Sequence, residues 1–562
     1  MRVIADFAAV NADRPGLDGV RADYAVVHRA FDRANSSEAR LAAIREWDRL
    51  RDRLDTWLAL TSLRFEQDTR DAKAKAERDY SDSIRPHLTE LEVGMKRRLI
   101  AHDDRPAFEQ AFGTHVFRLW ESDITTFDPA ITDDLEAESK LEARYTELMA
   151  SARIPFRGEE LNLSGLQRWT VDADRQTRHA AEAARWAFFA DNGAELDTIY
   201  DDMVRLRTGM AHKLGFENYL GLGYRRLRRT DYGPADVARY RDQIASDIVP
   251  LAARLIEARG KALGLSPMMA WDEGMGDPRG NPKPGGDANW IRAQATQVFA
   301  DLEPRLGAFW QVLDMHQLLD LEVRPGKAGG GFCTSFPTHG LPFIFSNFNG
   351  TMGDVDVLTH EMGHAFQNWS SHDKPISDLR WPTMEAAEIH SMSLEFLAHP
   401  HMDRFFGADA GRYRQQHLAN AVLFLPYGVA IDHFQHLVYG RPEATPAERH
   451  GMWREVEGRY MPWRQWGDLA HPAAGGAWQA KMHVYAAPLY YIDYTLAQCC
   501  ALQFWDRAAQ DSQEALAAYV ALCARGGEAP FQDLVAGAGL TSPFASGALK
   551  AVAERVALSL GV

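Results

Sequence analysis

Between Glu38 and Arg64 the apolar residues Leu41, Ile44, Trp47, Leu50, Leu54, Trp57, Leu58 and Leu60 recur at steps of three and four, with charged residues between them. That period paints one apolar stripe along a helix. It returns at Leu135 to Met149, Arg175 to Phe189 and Asp197 to Leu214, so the first half of the chain predicts an all-α lobe. Turn chemistry concentrates between Gly260 and Asn289, where proline and glycine at such density sustain neither a helix nor a central strand; an exposed loop is expected. The texture changes after Val323. Arg324 to Cys333, with its Gly329-Gly330-Gly331 run, reads as a flexible loop, and Leu341 to Phe348 as a short aromatic strand of a small sheet beside helices. The fold class is therefore mainly α, with an N-terminal helical lobe assigned to residues 1–195 and a second region to 196–562.

A chain of 562 residues, 46% hydrophobic and 25% charged, can bury a sizeable core and is no disulfide-stapled module. Its net charge of −16 argues against a bulk electrostatic pull toward nucleic acid or anionic lipid. The four cysteines, Cys333, Cys499, Cys500 and Cys523, form no C-x-x-C pair, which points to a reducing compartment. No secretory apolar run follows Met1, and nowhere do about eighteen uncharged apolar residues run together. A cytoplasmic protein with neither nucleic acid nor membrane as partner is expected; the oligomeric state is not legible.

The chemistry lies in His360-Glu361-Met362-Gly363-His364. Thr351 to Asp354 is expected to open a helix whose core stripe is Leu358, Met362, Ala365, Phe366 and Trp369. Four residues of helix return a side chain to within about 40° of its start, so His360 and His364 point together, away from that stripe. Two imidazoles one turn apart suit a zinc ion, and Glu361 alongside can take a proton from an attacking water. With 20 histidines in the chain, chance alone can produce such a motif, so context has to decide. A third ligand can come from Met384 to Phe396, where Glu385, Glu388 and Glu395 lie on broadly one helix face, and spacing does not choose among them. The cluster Arg225, Arg226, Arg228 and Arg229 can capture a peptide carboxylate or simply be a solvated patch; the second is favoured.

Several segments, in order, resemble the thimet oligopeptidase and oligoendopeptidase F family of zinc metallopeptidases, and most of all its bacterial oligoendopeptidase and Pz-peptidase branch. They are Met210 to Tyr219, Arg324 to Thr334, Pro342 to Phe345, Asp354 to His364, Glu388 to Ser391 with Glu395, and Pro488 to Tyr494. The resemblance implies two helical lobes around a deep substrate channel, with 196–562 as the catalytic region and short oligopeptides as substrates. It implies one Zn2+ per chain held by His360, His364 and Glu388, the last 24 positions after the second histidine. Glu361 becomes the general base and acid, Glu395 a carboxylate behind the ligands, and His483, Tyr491 and Tyr494 donors to the oxyanion. Gly329, Gly330, Gly331, Phe343 and Tyr490 are expected to meet substrate, the glycine loop and the Phe343 to Phe348 strand by adding the peptide as a further strand. Two other readings stand beside it: a dipeptidyl carboxypeptidase or carboxypeptidase of similar helical fold, and a non-catalytic peptide-binding protein with a structural metal.

Overall fold

The computed structural model describes residues 6–562. Its first long periodic stretch is one helix, Ser37–Gln67, opened by Ser36, whose hydroxyl accepts the Ala39 N–H at 3.2 Å. The apolar stripe is the buried side, with Ile44, Trp47, Leu50, Leu54, Trp57 and Leu60 all inside. Thr132–Ala150, Arg175–Asp191 and Gly193–Lys213 occupy the other three stretches of helical period. Across the proline- and glycine-rich segment the preceding helix stops at Gly264, which takes the left-handed conformation (φ 67°) that favours glycine there. Only a 3-10 turn, Ala270–Asp272, forms before Asp287 caps the next helix, Ala288–Leu302.

Two large cores share the long helix. Trp47 and Trp57 pack with Phe108, Phe117 and Trp120 of the N-terminal helices and with Ile376 and Leu379 from far along the chain. Leu60 and Leu63, one or two turns on, belong to the main core, and a small separate cluster forms around Ile154, Leu166 and Ala181. Each large side chain so buried contributes about 1.5–3 kcal/mol.

The sheet that positions the site has three strands. Leu341–Phe348 is central, parallel to Leu319–Glu322 on one side and antiparallel to Phe332–Phe336 on the other. Against it packs the helix Gly353–Ser370. The loop leading to the edge strand, expected to be flexible, is fastened to the sheet. The buried Lys327 ammonium donates to Asp320 Oδ1 at 2.8 Å and to the Asp320 and Glu322 carbonyls at 3.0 Å, while Asn347 Nδ2 donates to the Ala328 and Gly330 carbonyls at 2.9 Å. Among the described residues no helix is long and apolar enough to cross a membrane.

Candidate active site and metal centre

Gly353–Ser370 carries the two histidines. Its start differs from expectation: Met352 holds the cap position, and Asp354 instead accepts the N–H groups of Asn349 at 2.9 Å and Gly350 at 2.8 Å, because the preceding turn presents both amides to that carboxylate. Leu358, Met362, Ala365 and Phe366 are buried against the core, and the His360 and His364 rings stand together with centroids 5.0 Å apart. Gly363 sets the crossing with the next helix, Met384–Leu397. A Cβ there would lie 2.5 Å from the His390 carbonyl oxygen and 2.6 Å from Ser391 Cα, so a larger residue would push that helix away.

The close crossing delivers Glu388 to the histidines. Its Oε2 lies 3.2 Å from His360 Nε2 and 3.3 Å from His364 Nε2. These are the donor separations of a tetrahedral ion with bonds of about 2.0–2.1 Å, so the residues present fit a metal of zinc's size. The three ligand atoms all lie within 4.8 Å of one another, and the neighbouring Glu361 Oε2 is buried without a hydrogen-bond partner. Burial opposes ionising Glu388, but the two imidazoles more than offset it and hold its carboxyl well below the usual range.

Behind the ligands runs a chain of hydrogen bonds. His360 Nδ1 lies 2.7 Å from Glu395 Oε1, Glu395 Oε2 lies 2.8 Å from His417 Nε2, and His417 Nδ1 lies 3.0 Å from His399 Nε2. With its Nδ1–H given to Glu395, His360 turns the bare Nε2 toward the centre. Glu395→Gln is expected to weaken binding of a divalent metal at these ligands about 10–100-fold, measured by competition with a chelator. An unchanged affinity would show that His360 is oriented by something else.

Glu361 is buried beside the triad, and that burial pushes its carboxyl up while His360 and His364 draw it back. Gly331 lies over it: a Cβ there would meet Val357 Cγ1 at 2.9 Å and Glu361 Oε1 at 3.5 Å. On the other side, the Tyr490 hydroxyl donates to Glu388 Oε1, and the Tyr494 hydroxyl lies 3.2 Å from His483 Nε2. Burial foremost, and then the Lys481 charge, lowers His483 to about 3, so its imidazole is neutral at neutral pH. Tyr491 stacks edge-on against His483 with centroids 5.0 Å apart, but its ring face is taken by the Lys481 ammonium at 4.9 Å. Of the three tyrosines, Tyr490 is the one hydrogen-bonded to the triad.

Other expected residues fall elsewhere. Phe343 is buried against Phe7 and Phe336 on the central strand, whose two edges are both paired, so no peptide can be added there; the outer strands are Leu319–Glu322 and Phe332–Phe336. Gly329 and Gly330 sit in the fastened loop, away from Glu361, and Gly330 has a φ of 91°. Glu385 is buried toward Arg229 and Asp493, and burial followed by the Asp493 charge pushes its carboxyl up. Of the arginine cluster only Arg225 is exposed as a solvated patch requires; Arg226 pairs with Glu138 at 2.9 Å, Arg228 with Asp123 at 2.7 Å and Arg229 with Asp493 at 2.5 Å. Sequence reasoning missed His417 and Gln435, both on the helix Ala410–Gly440, because nothing local distinguishes them from core residues.

Residues 7–127 match the Peptidase M3 N-terminal domain and residues 308–554 match Peptidase family M3. Among solved structures, Pz peptidase A with an inhibitor is 42% identical, with 99% of each chain covered and a TM-score of 0.98. A structure described as oligoendopeptidase F is 45% identical, with 99% of each chain covered and a TM-score of 0.98. Another so described, from Bacillus anthracis, is 41% identical over 99% of this chain and 98% of the other, with a TM-score of 0.93. No curated protein matches the chain. A helical fold closed around two histidines and a glutamate, in this company, is that of a metallopeptidase. The chain belongs to peptidase family M3, on its oligoendopeptidase and Pz-peptidase branch.

Proposed function

We propose that this peptidase is a zinc-dependent endopeptidase acting on internal bonds of short oligopeptides. The observation that carries the reading is the convergence of His360 Nε2, His364 Nε2 and Glu388 Oε2 at metal-ligand spacing beside the unpartnered Glu361 carboxylate. Zinc, when bound by these three residues, supplies Lewis acidity that brings the pKa of a water to about 7 and polarises a carbonyl. Glu361 takes the proton of the attacking water and returns it to the leaving amine, one carboxylate serving as base and then as acid. With its proton on Nε2, neutral His483 donates to the Tyr494 oxygen and leaves the phenolic hydrogen free for the developing oxyanion. Phe332–Phe336 is the strand edge on which a peptide backbone can be laid, and Gly331 leaves room for it next to Glu361. Four free cysteines support a cytosolic setting.

The test is a mixed peptide library, including C-terminally amidated members, incubated with the enzyme with and without a chelator and read by mass spectrometry. Internal cleavage of amidated peptides that stops on chelation and returns with zinc is expected. Products released solely from free C-termini would make it a carboxypeptidase, and tight binding without products would make the metal structural.

A further inference from the structure

Four described residues other than glycine have a positive φ, and among them Leu489 (φ 66°) is the one that is fully buried. A branched side chain is strained in that region and persists there when its surroundings impose it. Here both of its backbone polar groups are taken by side chains from distant elements. The Leu489 N–H donates to Gln435 Oε1 at 2.9 Å, and its carbonyl accepts from Arg229 Nη2 at 2.7 Å. Arg229 is itself locked. It pairs with Asp493 at 2.5 Å, both side chains being fully buried, and its guanidinium lies 4.5 Å from the Tyr224 ring centroid. The leucine side chain packs against Gly223, where a Cβ would lie 2.6 Å from Leu489 Cδ1 and force that side chain to shift.

The next residue is Tyr490, whose hydroxyl donates to Glu388 Oε1 while Oε2 of the same carboxylate faces both imidazoles. The backbone at 489 therefore decides where that hydroxyl goes. We propose that Gln435 and Arg229 are positioning residues: together they clamp Leu489 in its left-handed conformation, hold the Tyr490 hydroxyl on Glu388, and so fix the orientation in which this carboxylate meets the metal. The clamp acts through Tyr490 and rests on the metallopeptidase reading of the triad.

Gln435→Met removes the acceptor at nearly constant volume. In the full-length chain, titrated with zinc against a chelator, it is expected to lower zinc affinity about tenfold and to lower kcat, with KM within about twofold of the parent. Gln435→Glu keeps an acceptor oxygen and is expected to restore most of the affinity. In a Tyr490→Phe background, where there is no hydroxyl left to position, Gln435→Met should change affinity less than about twofold. Arg229→Lys, which keeps the charge on a shorter side chain that does not reach as far as the Nη2 donating to both Asp493 Oδ1 and the Leu489 carbonyl, is expected to follow the same pattern and serves if the methionine variant does not fold. The clamp is overturned if zinc affinity is unchanged in folded variants, or if the tenfold loss is as large with Phe at 490 as with Tyr. A parent enzyme that binds no zinc at all would instead bring down the metallopeptidase reading on which the clamp rests.

Discussion

Glu361→Gln is expected to reduce kcat by about 10³-fold while zinc content and affinity stay at the parental level. The amide is nearly isosteric, so the crossing at Gly363 and the three ligand positions are undisturbed, yet it has no lone pair basic enough to hold a proton from water. Glu361 is not among the atoms that converge at ligand spacing, and one of its oxygens is buried with no partner of its own. That placement supports proton transfer by Glu361 rather than ligation. Loss of zinc together with activity would make Glu361 a ligand or a structural support; parental turnover would remove it from the reaction. Steady-state kinetics on a quenched peptide, beside metal analysis of the same preparation, separates the three outcomes.

The facing of His360 and His364 and the class of fold were legible because each depends on helical phase, a local property. Ser37–Gln67 follows its apolar period almost to the residue, and His360 and His364 face one way because four residues make about one turn. The glutamate that meets the two histidines was legible through resemblance alone, since phase left Glu385, Glu388 and Glu395 equivalent. What separates them is tertiary: Gly363 lets the two helices touch at one point, which puts Glu388 on the imidazoles, Glu395 behind His360, and Glu385 beside Arg229. The hydrogen bond from Tyr490 to Glu388 was not legible for a related reason. A helix starting at Tyr491 places Tyr491 and Tyr494 on one face, but Tyr490 precedes that helix and is aimed by the left-handed Leu489, which no periodicity predicts. Phe343 was misplaced because an apolar strand reads alike at an edge and in the middle of a sheet.

A second large effect lies far from the metal, where Asp378 joins the long N-terminal helix to the rest of the chain. Asp378→Asn is expected to cost about 3 kcal/mol of stability, read as a lower denaturation midpoint at neutral pH, because it takes one buried counter-charge from Arg51 and Arg228, which keep Asp48 and Asp123 as partners. Asp378 Oδ2 accepts from Arg51 Nη1 at 2.7 Å with both side chains buried, and Arg228 approaches at 3.5 Å. Asp48 on the same helix accepts the Ser377 hydroxyl at 2.7 Å, and Arg380 reaches Asp52 at 2.6 Å, so the turn Ser377–Leu379 is knitted to Ser37–Gln67 by charge as well as by Ile376 and Leu379. Burial opposes the ionised form of Asp378, but Arg51 foremost, then Lys96 and Arg228, hold its carboxyl far below the usual range. The sign follows from that direction. A carboxyl with a folded pKa below the unfolded value of about 3.9 contributes fully above that pH and loses its contribution as acid protonates it in the folded protein. The gap between parent and Asp378→Asn should therefore be widest near neutrality and shrink as the pH falls below about 4. A gap that stays constant down to low pH would mean that Asp378 acts through shape rather than charge, and no gap at neutral pH would mean that its charge adds nothing to the links made by Asp48, Asp52, Ile376 and Leu379.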